Sequence, residues 1–200
     1  MRESKKSEQT RALILAGAGR TFRSHGYGGA GVDGLAKAAG LTSGAFYAYF
    51  KSKAEAFREA VRVGMHDLEQ AIRTLRAEQG ERWVESFVRF YLGERRTCAL
   101  TESCALQSLT PEVARADPET REAFEAALRA VIDATAGGMD GATPKQRRSQ
   151  AIVMLAALSG GVSLARAVND STLSKEIADT IQSSLLGAHE AKSGSKRSKR

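Results

Sequence analysis

Residues 40–50, GLTSGAFYAYF, set small side chains at Ser43, Gly44, Ala45 and Ala48 among the rings of Phe46, Tyr47, Tyr49 and Phe50. The run contains no acidic residue and leads directly into Lys51 and Lys53. The chemistry open to such a surface is hydrogen bonding and charge neutralisation, not bond making. Small residues let a helix backbone approach base edges or phosphates, a helix N-terminus adds free N–H groups for a phosphate oxygen, and the lysines bring positive charge. Phe46 and Phe50, four apart, suit the inside of a small core, whereas Tyr47 points away from it and is available to an external partner. Tyr49 fits either side, and both tyrosines simply packing is the bland alternative.

Enzymatic chemistry finds little support elsewhere. His25, His66 and His189 lie far apart and lack metal-ligand spacing, and the chain contains no HExxH, Walker loop or GxSxG. No catalytic residue, metal ligand or cofactor is therefore expected. Cys98 and Cys104 are too few for a secreted disulfide framework and are not spaced as C-x-x-C. A bridge between them requires their α-carbons to come within about 7 Å. A thiol-dependent enzyme using Cys104 and a histidine is the remaining enzymatic alternative; it requires an activity that Cys104→Ala abolishes.

The elements that must position residues 40–50 are helical. The chain has 200 residues, 42% of them hydrophobic, with only three prolines, and apolar residues recur at helical spacings, which predicts an all-α protein. A first helix is expected from about Ser7 to Ser24, with Ile14, Leu15, Ala18 and Phe22 on one face and HGYGGAG ending it at Gly26. Gly17 and Gly19 inside it imply close packing against a neighbour. Two short helices, 32–39 and 43–49, then flank a tight turn at Gly40, Leu41 and Thr42, a helix-turn-helix pattern. Leu35, Ala36, Ala39, Leu41, Phe46 and Tyr49 fall on its inner side; Ser43, Gly44, Ala45, Tyr47 and Ala48 fall outside. SKAE at 52–55 reads as a capping box opening a long helix to about Glu78. Further helices are expected at 81–96, 103–116, 118–137 with Asp117 as cap, 144–168 with Thr143 as cap, and 172–187.

Charge divides the chain as the elements do. The net charge of +7 resolves into +6 over residues 1–53, −4 over 54–190 and +5 over 191–200. A basic head on an acidic body suits a head that meets a polyanion and a body with another task. The expected organisation is a DNA-binding domain over 1–53, a second helical domain over 54–190, and a disordered basic tail over 191–200. Solvated charge without a partner is the bland reading of the same pattern. No run approaches the eighteen or so apolar residues of a membrane span. The short run ALILAGAG behind Arg2, Lys5 and Lys6 fits an amphipathic helix better than a signal peptide, so a cytoplasmic protein is expected.

Residues 11–57 resemble the DNA-binding domain of TetR-type transcriptional regulators. The likeness is carried by the glycine-aromatic turn after the first helix, by VDGLAKAAGLTSGAFYAYFKSKAEAF, and by its aromatic-x-aromatic-Phe-x-x-Lys ending. The resemblance implies an N-terminal three-helix helix-turn-helix domain joined to a C-terminal helical domain that binds an effector and dimerises. It places Thr42, Ser43, Gly44, Tyr47, Tyr49 and Lys53 at operator DNA, with Tyr47 and Lys53 on phosphates. Three positions depart from the family: Gly31 stands where a Ser or Thr usually caps the second helix, Gly34 replaces a common acid, and Tyr49 a common histidine. CALTESCALQSLTPEVARADPETREAF, residues 98–124, resembles the segment of some such regulators in which a cysteine opens the sixth helix, and Cys104 matches that cysteine.

An effector site is expected from the aromatic stripe Trp83, Phe87, Phe90 and Tyr91 together with Phe124, since ligand sites between helices are mostly apolar; core packing is the competing role for each member. Cys104, near a helix start and with Arg95 and Arg96 nearby in sequence, is a candidate for reaction with oxidants or electrophiles; a small buried hydrophobe is the alternative. The last two helices, about 144–168 and 172–187, are rich in small and aliphatic residues, and the resemblance implies that they form a four-helix homodimer interface. A two-fold dimer carries two reading helices spaced for a palindrome in double-stranded operator DNA. The expected function is that of a repressor released by a small-molecule or thiol-reactive effector; the alternative is a nonspecific, architectural DNA-binding protein.

Overall fold

The computed structural model describes residues 2–197, with side-chain surroundings for 7–187. All regular structure among the described residues is helical: α1 (Arg2–Gly29), α2 (Val32–Ala38), α3 (Ser43–Tyr47), α4 (Lys53–Gln79), α5 (Trp83–Leu92), α6 (Glu94–Thr97), α7 (Ala105–Val113), α8 (Pro118–Ala136), α9 (Pro144–Ala167) and α10 (Ser171–Arg197), with single 3-10 turns at Gly80–Arg82 and Leu100–Glu102. The expected all-α class is the one observed. The expected helix over 81–96 is two, because the chain leaves helical geometry at Gly93.

Two compact units are formed, one from residues 1–66 with 99–127 and the other from 67–98 with 128–200. This division differs from a boundary at 53/54, and specific contacts explain it. The Arg23 Nε donates to the Thr101 carbonyl at 2.9 Å, the Arg58 guanidinium meets Glu119 at 2.5 Å, and the Gly26 backbone lies against the Glu112 carboxylate. Residues 99–127 therefore pack with the N-terminal segment, a long-range association that local sequence pattern does not encode.

The first unit is built around aromatic rings. Phe22, Phe46, Phe50 and Phe57 are at most 1% exposed, alongside Ile14, Ala18, Leu35 and Ala36. Phe22 and Phe57 meet edge to face with centroids 5.1 Å apart, and Tyr27 packs on both. Such pairs add about 0.5–1.5 kcal/mol to area burial. Gly17 allows α2 to come close: a methyl group there would sit 3.0 Å from the Ala38 carbonyl oxygen. The main run of α1 breaks at Gly26, with φ 69 and ψ 175, a conformation essentially confined to glycine, and one further turn follows to Gly29. Gly40, with φ 70, makes the reversal between α2 and α3.

The second unit packs α5, α9 and α10 together. Trp83, Val84, Phe87, Val88, Tyr91 and Leu92 supply the buried face of α5, and Ala151, Met154, Leu155, Leu158, Gly161, Val162 and Ala165 that of α9. Thr143 and Gln146 form the expected capping box at the start of α9, with Pro144 next. Among the described residues α9 alone is long and apolar enough by length and composition to cross a membrane, where the sequence predicts no run approaching a membrane span. Its buried stripe and the cationic Lys145, Arg147 and Arg148 in its first turn are those of a helix packed within the unit. The backbone of α10 continues to Arg197, so residues 191–197 extend a helix where a disordered tail is expected, and 198–200 lie outside the described residues. Extending an existing helix is easy compared with starting one, and Lys and Arg are good helix formers.

Candidate nucleic-acid interface

The turn between α2 and α3 carries the residues in question. Leu35, Ala36 and Phe46 are fully buried, and Ala39, Leu41 and Tyr49 are half-buried, so the inner side is largely the one expected. On the outer side Thr42, Gly44, Tyr47 and Ala48 are exposed, and Ser43 and Ala45 are half-buried. Tyr47 is 55% exposed although its ring edge rests on Phe46, which fixes the direction of its hydroxyl away from the core.

Caps and pairs hold this short helix in place. Thr42 is the N-cap of α3, its hydroxyl oxygen accepting from the Ala45 N–H at 3.2 Å. The Ser43 hydroxyl donates to the Asp33 carboxylate, tying the start of α3 to the first turn of α2. Gly31 caps α2 with no side-chain hydrogen bond, as its departure from the family pattern implies. Before α4, Ser52 accepts from the Glu55 N–H at 3.1 Å, while the Glu55 carboxylate reaches back to the Lys51 N–H at 2.7 Å, one residue earlier than a standard capping box.

Lys53 and Arg11 are each tied into the unit. The Lys53 ammonium donates to the Tyr27 carbonyl at 3.0 Å and sits 4.2 Å from the centre of the Tyr27 ring. Two of its N–H groups remain for a further partner. The Arg11 guanidinium lies 5.1 Å from the Phe50 ring centre and 3.4 Å from Glu59. Sequence reasoning missed Asp33 as part of this surface. The signal was present: it is the only acidic residue between Glu8 and Glu55, in a segment otherwise basic.

The six residues proposed for an effector are divided between the two units. Trp83, Phe87 and Tyr91 are buried in the second unit, with successive ring centroids 6.2 and 5.5 Å apart. The Trp83 indole N–H donates to the Gly138 carbonyl at 2.9 Å. Phe90 lies at the margin of the buried face of α5, 39% exposed, with the Arg95 guanidinium 5.1 Å from its ring centre. Cys104 and Phe124 belong to the first unit and are half-buried. Both cysteines are free thiols. The cysteine beside a guanidinium is Cys98, whose sulfur lies 3.1 Å from the Arg166 Nη2, a pairing between residues 68 apart that no local motif announces. Among the described residues no group of His, Cys, Asp and Glu is arranged to hold a metal ion.

Comparison with known proteins agrees with this geometry. Residues 14–60 match the sequence model of bacterial regulatory proteins of the tetR family. NemR from E. coli in its reduced form superposes with a TM-score of 0.75 at 20% identity, over 88% of this chain and 95% of that one. A TetR-family regulator from Cytophaga hutchinsonii gives 0.74 at 18% identity, over 91% and 96%. The regulator FadR from Bacillus subtilis, in complex with stearoyl-CoA, gives 0.60 at 16% identity, over 86% and 97%. No curated protein sequence matches significantly. Residues 14–60 are therefore a tetR-family helix-turn-helix domain, and the described chain has the fold of TetR-family transcriptional regulators.

Proposed function

We propose that this protein is a cytoplasmic transcriptional repressor that binds a palindromic operator as a homodimer and leaves it when an effector engages the C-terminal part. The observation that carries the reading is the outer side of the turn and α3: Thr42, Ser43, Gly44 and Tyr47 form a small, polar strip on a tetR-family domain, with Tyr49 and Lys53 at its margins. Such a strip fits a major groove, with Tyr47 and Lys53 donating to phosphates and the small residues next to base edges.

The dimer is assigned to α9 and α10. Ile152, Val153 and Leu164 on α9 and Leu173 on α10 are 41–61% exposed, an aliphatic set that a second copy of the chain would cover. Two-fold symmetry then sets the reading helices about 34 Å apart or at a multiple of that distance. Release requires an effector that prefers a conformation with the wrong spacing; equal affinity for both conformations shifts nothing. An apolar effector would contact the Trp83, Phe87 and Tyr91 stripe, and an electrophile would react at Cys104 in this reading.

The test is fluorescence anisotropy with DNA from upstream of the protein's own gene, alongside random-sequence DNA at the same salt. Nanomolar binding that favours the upstream DNA about a thousandfold is expected. Equal, weak binding to both overturns the reading in favour of a nonspecific DNA-binding protein.

A further inference from the structure

We infer that Asp33 sets the hydrogen-bonding polarity of Ser43, so that Ser43 can only accept from DNA and selects a base, adenine or cytosine, whose amino group lies at the contacted position. The inference rests on the operator-binding reading above and deepens it. A serine hydroxyl has one hydrogen to give and two lone pairs to receive, and the hydrogen normally rotates to suit whichever partner arrives. Here the Ser43 hydrogen is committed to the Asp33 carboxylate. An ionised carboxylate accepts only, so the polarity of this bond cannot be reversed. What remains facing outward is lone-pair density.

Thr42, one residue earlier, is committed the other way. Its oxygen receives the Ala45 N–H at 3.2 Å, and its hydrogen is left to give. The two adjacent hydroxyls therefore present opposite polarity, a donor at Thr42 and an acceptor at Ser43, each set by a bond within the domain. In the major groove the donors are adenine N6 and cytosine N4, while guanine O6 and thymine O4 only accept. A Ser43 that cannot donate is compatible with the first pair and repelled by the second. An unconstrained serine would tolerate both.

The position of Asp33 supports a role beyond packing. It is exposed, it lies in the first turn of α2, and it is the only acid between Glu8 and Glu55, where its charge opposes any approaching phosphate. Its hydrogen-bond partner is the Ser43 hydroxyl, the one hydroxyl on the strip whose hydrogen is committed within the domain.

The experiment measures binding of the full-length protein to its upstream operator and to a set of operators in which every base pair of a half-site is replaced in turn. Wild type, Ser43→Ala, Asp33→Ala and Asp33→Asn are compared at fixed salt. At one position wild type is expected to favour adenine or cytosine on the contacted strand about tenfold over guanine or thymine. Ser43→Ala should flatten that position alone. Asp33→Ala should reduce the preference there to less than about threefold by freeing the serine hydrogen, whatever it does to affinity overall. Asp33→Asn presents a donor N–H beside its acceptor oxygen, which makes the polarity of the bond reversible, and should lower the preference as Asp33→Ala does. A specific wild type whose base preferences survive both Ser43→Ala and Asp33→Ala overturns this inference and leaves the repressor reading standing. Asp33→Asn keeping the full wild-type preference also overturns it, since the acceptor-only character of the carboxylate would then be irrelevant. A wild type that does not distinguish operator from random DNA overturns both readings at once.

Discussion

Each of the two units buries a cluster of aromatic rings, and they differ in what they leave outside. In the first, Phe22, Phe46, Phe50 and Phe57 close a small core, two cations are drawn onto aromatic rings at its edge, and the outer strip is left to hydroxyls, glycine and Tyr47. In the second, Trp83, Phe87 and Tyr91 are buried, Phe90 is 39% exposed under the Arg95 guanidinium, and α9 and α10 expose the aliphatic Ile152, Val153, Leu164 and Leu173. A strip of directional donors and acceptors suits a partner with a fixed pattern of polar edges. A patch of aliphatic side chains suits a partner that is itself apolar, and a second copy of the same patch is one. The difference teaches that the two surfaces can be damaged separately.

The largest effect is expected from Phe22→Ala, which removes a fully buried ring from the first unit and should cost about 3–5 kcal/mol in urea unfolding. A much smaller loss would mean that the ring cluster is not what holds the reading surface together. Next, replacing both Val153 and Leu164 by glutamate should raise the dimer dissociation constant about a hundredfold or more, about 2.7 kcal/mol, in sedimentation equilibrium. If self-association is unaltered, the aliphatic face belongs to some other partner. Tyr47→Phe should weaken operator binding about tenfold, about 1.4 kcal/mol, without moving the melting temperature. Lys53→Ala should do both, because its ammonium also serves the Tyr27 carbonyl and ring, with about 1 kcal/mol lost from folding. The exposed Lys51 provides the control: Lys51→Ala should leave stability within about 0.5 kcal/mol of wild type.

The smallest effect concerns pH. The backbone N–H of Thr120 holds the Asp117 carboxyl below its usual range, with the Thr120 hydroxyl and Arg58 adding to the effect. A carboxylate with a lowered pKa in the folded state stabilises the fold above about pH 4, and that contribution disappears as the pH falls through the lowered value. Asp117→Asn should therefore flatten the acid limb of the stability curve slightly, as read by thermal melts from pH 5 to 2. An unchanged limb would locate acid sensitivity elsewhere.

The head was the more legible unit, for a physical reason. Its helices are short and close, so residue size and backbone geometry are dictated locally: Gly40 at the turn, Ala36 at the crossing, Phe46 and Phe50 four apart. Helix caps were equally readable, since Asp117, Thr143 and Ser52 act on backbone groups three residues away. What escaped were pairings between distant residues. Arg23 with Thr101, Arg166 with Cys98, and the packing of 99–127 with the N-terminal segment depend on the path of the whole chain. Asp33 and Ser43, only ten residues apart, were missed for a different reason: their bond crosses a turn, where helical spacing rules give no register. The aromatic stripe in α5 shows the limit of periodicity, which grouped Phe90 with three buried rings although it sits at the edge of their face and is 39% exposed.

The stretch HGYGGAG, for its part, carries one obligatory glycine among several free ones. A side chain at 28 or 31 would meet open space with ordinary backbone angles, whereas at 26 it would face both a forbidden conformation and the Glu112 carboxylate at 3.2 Å. Over evolutionary drift the segment should therefore change length and composition around a single fixed point. What looks like a loose linker in the sequence is a rigid elbow with one immovable joint.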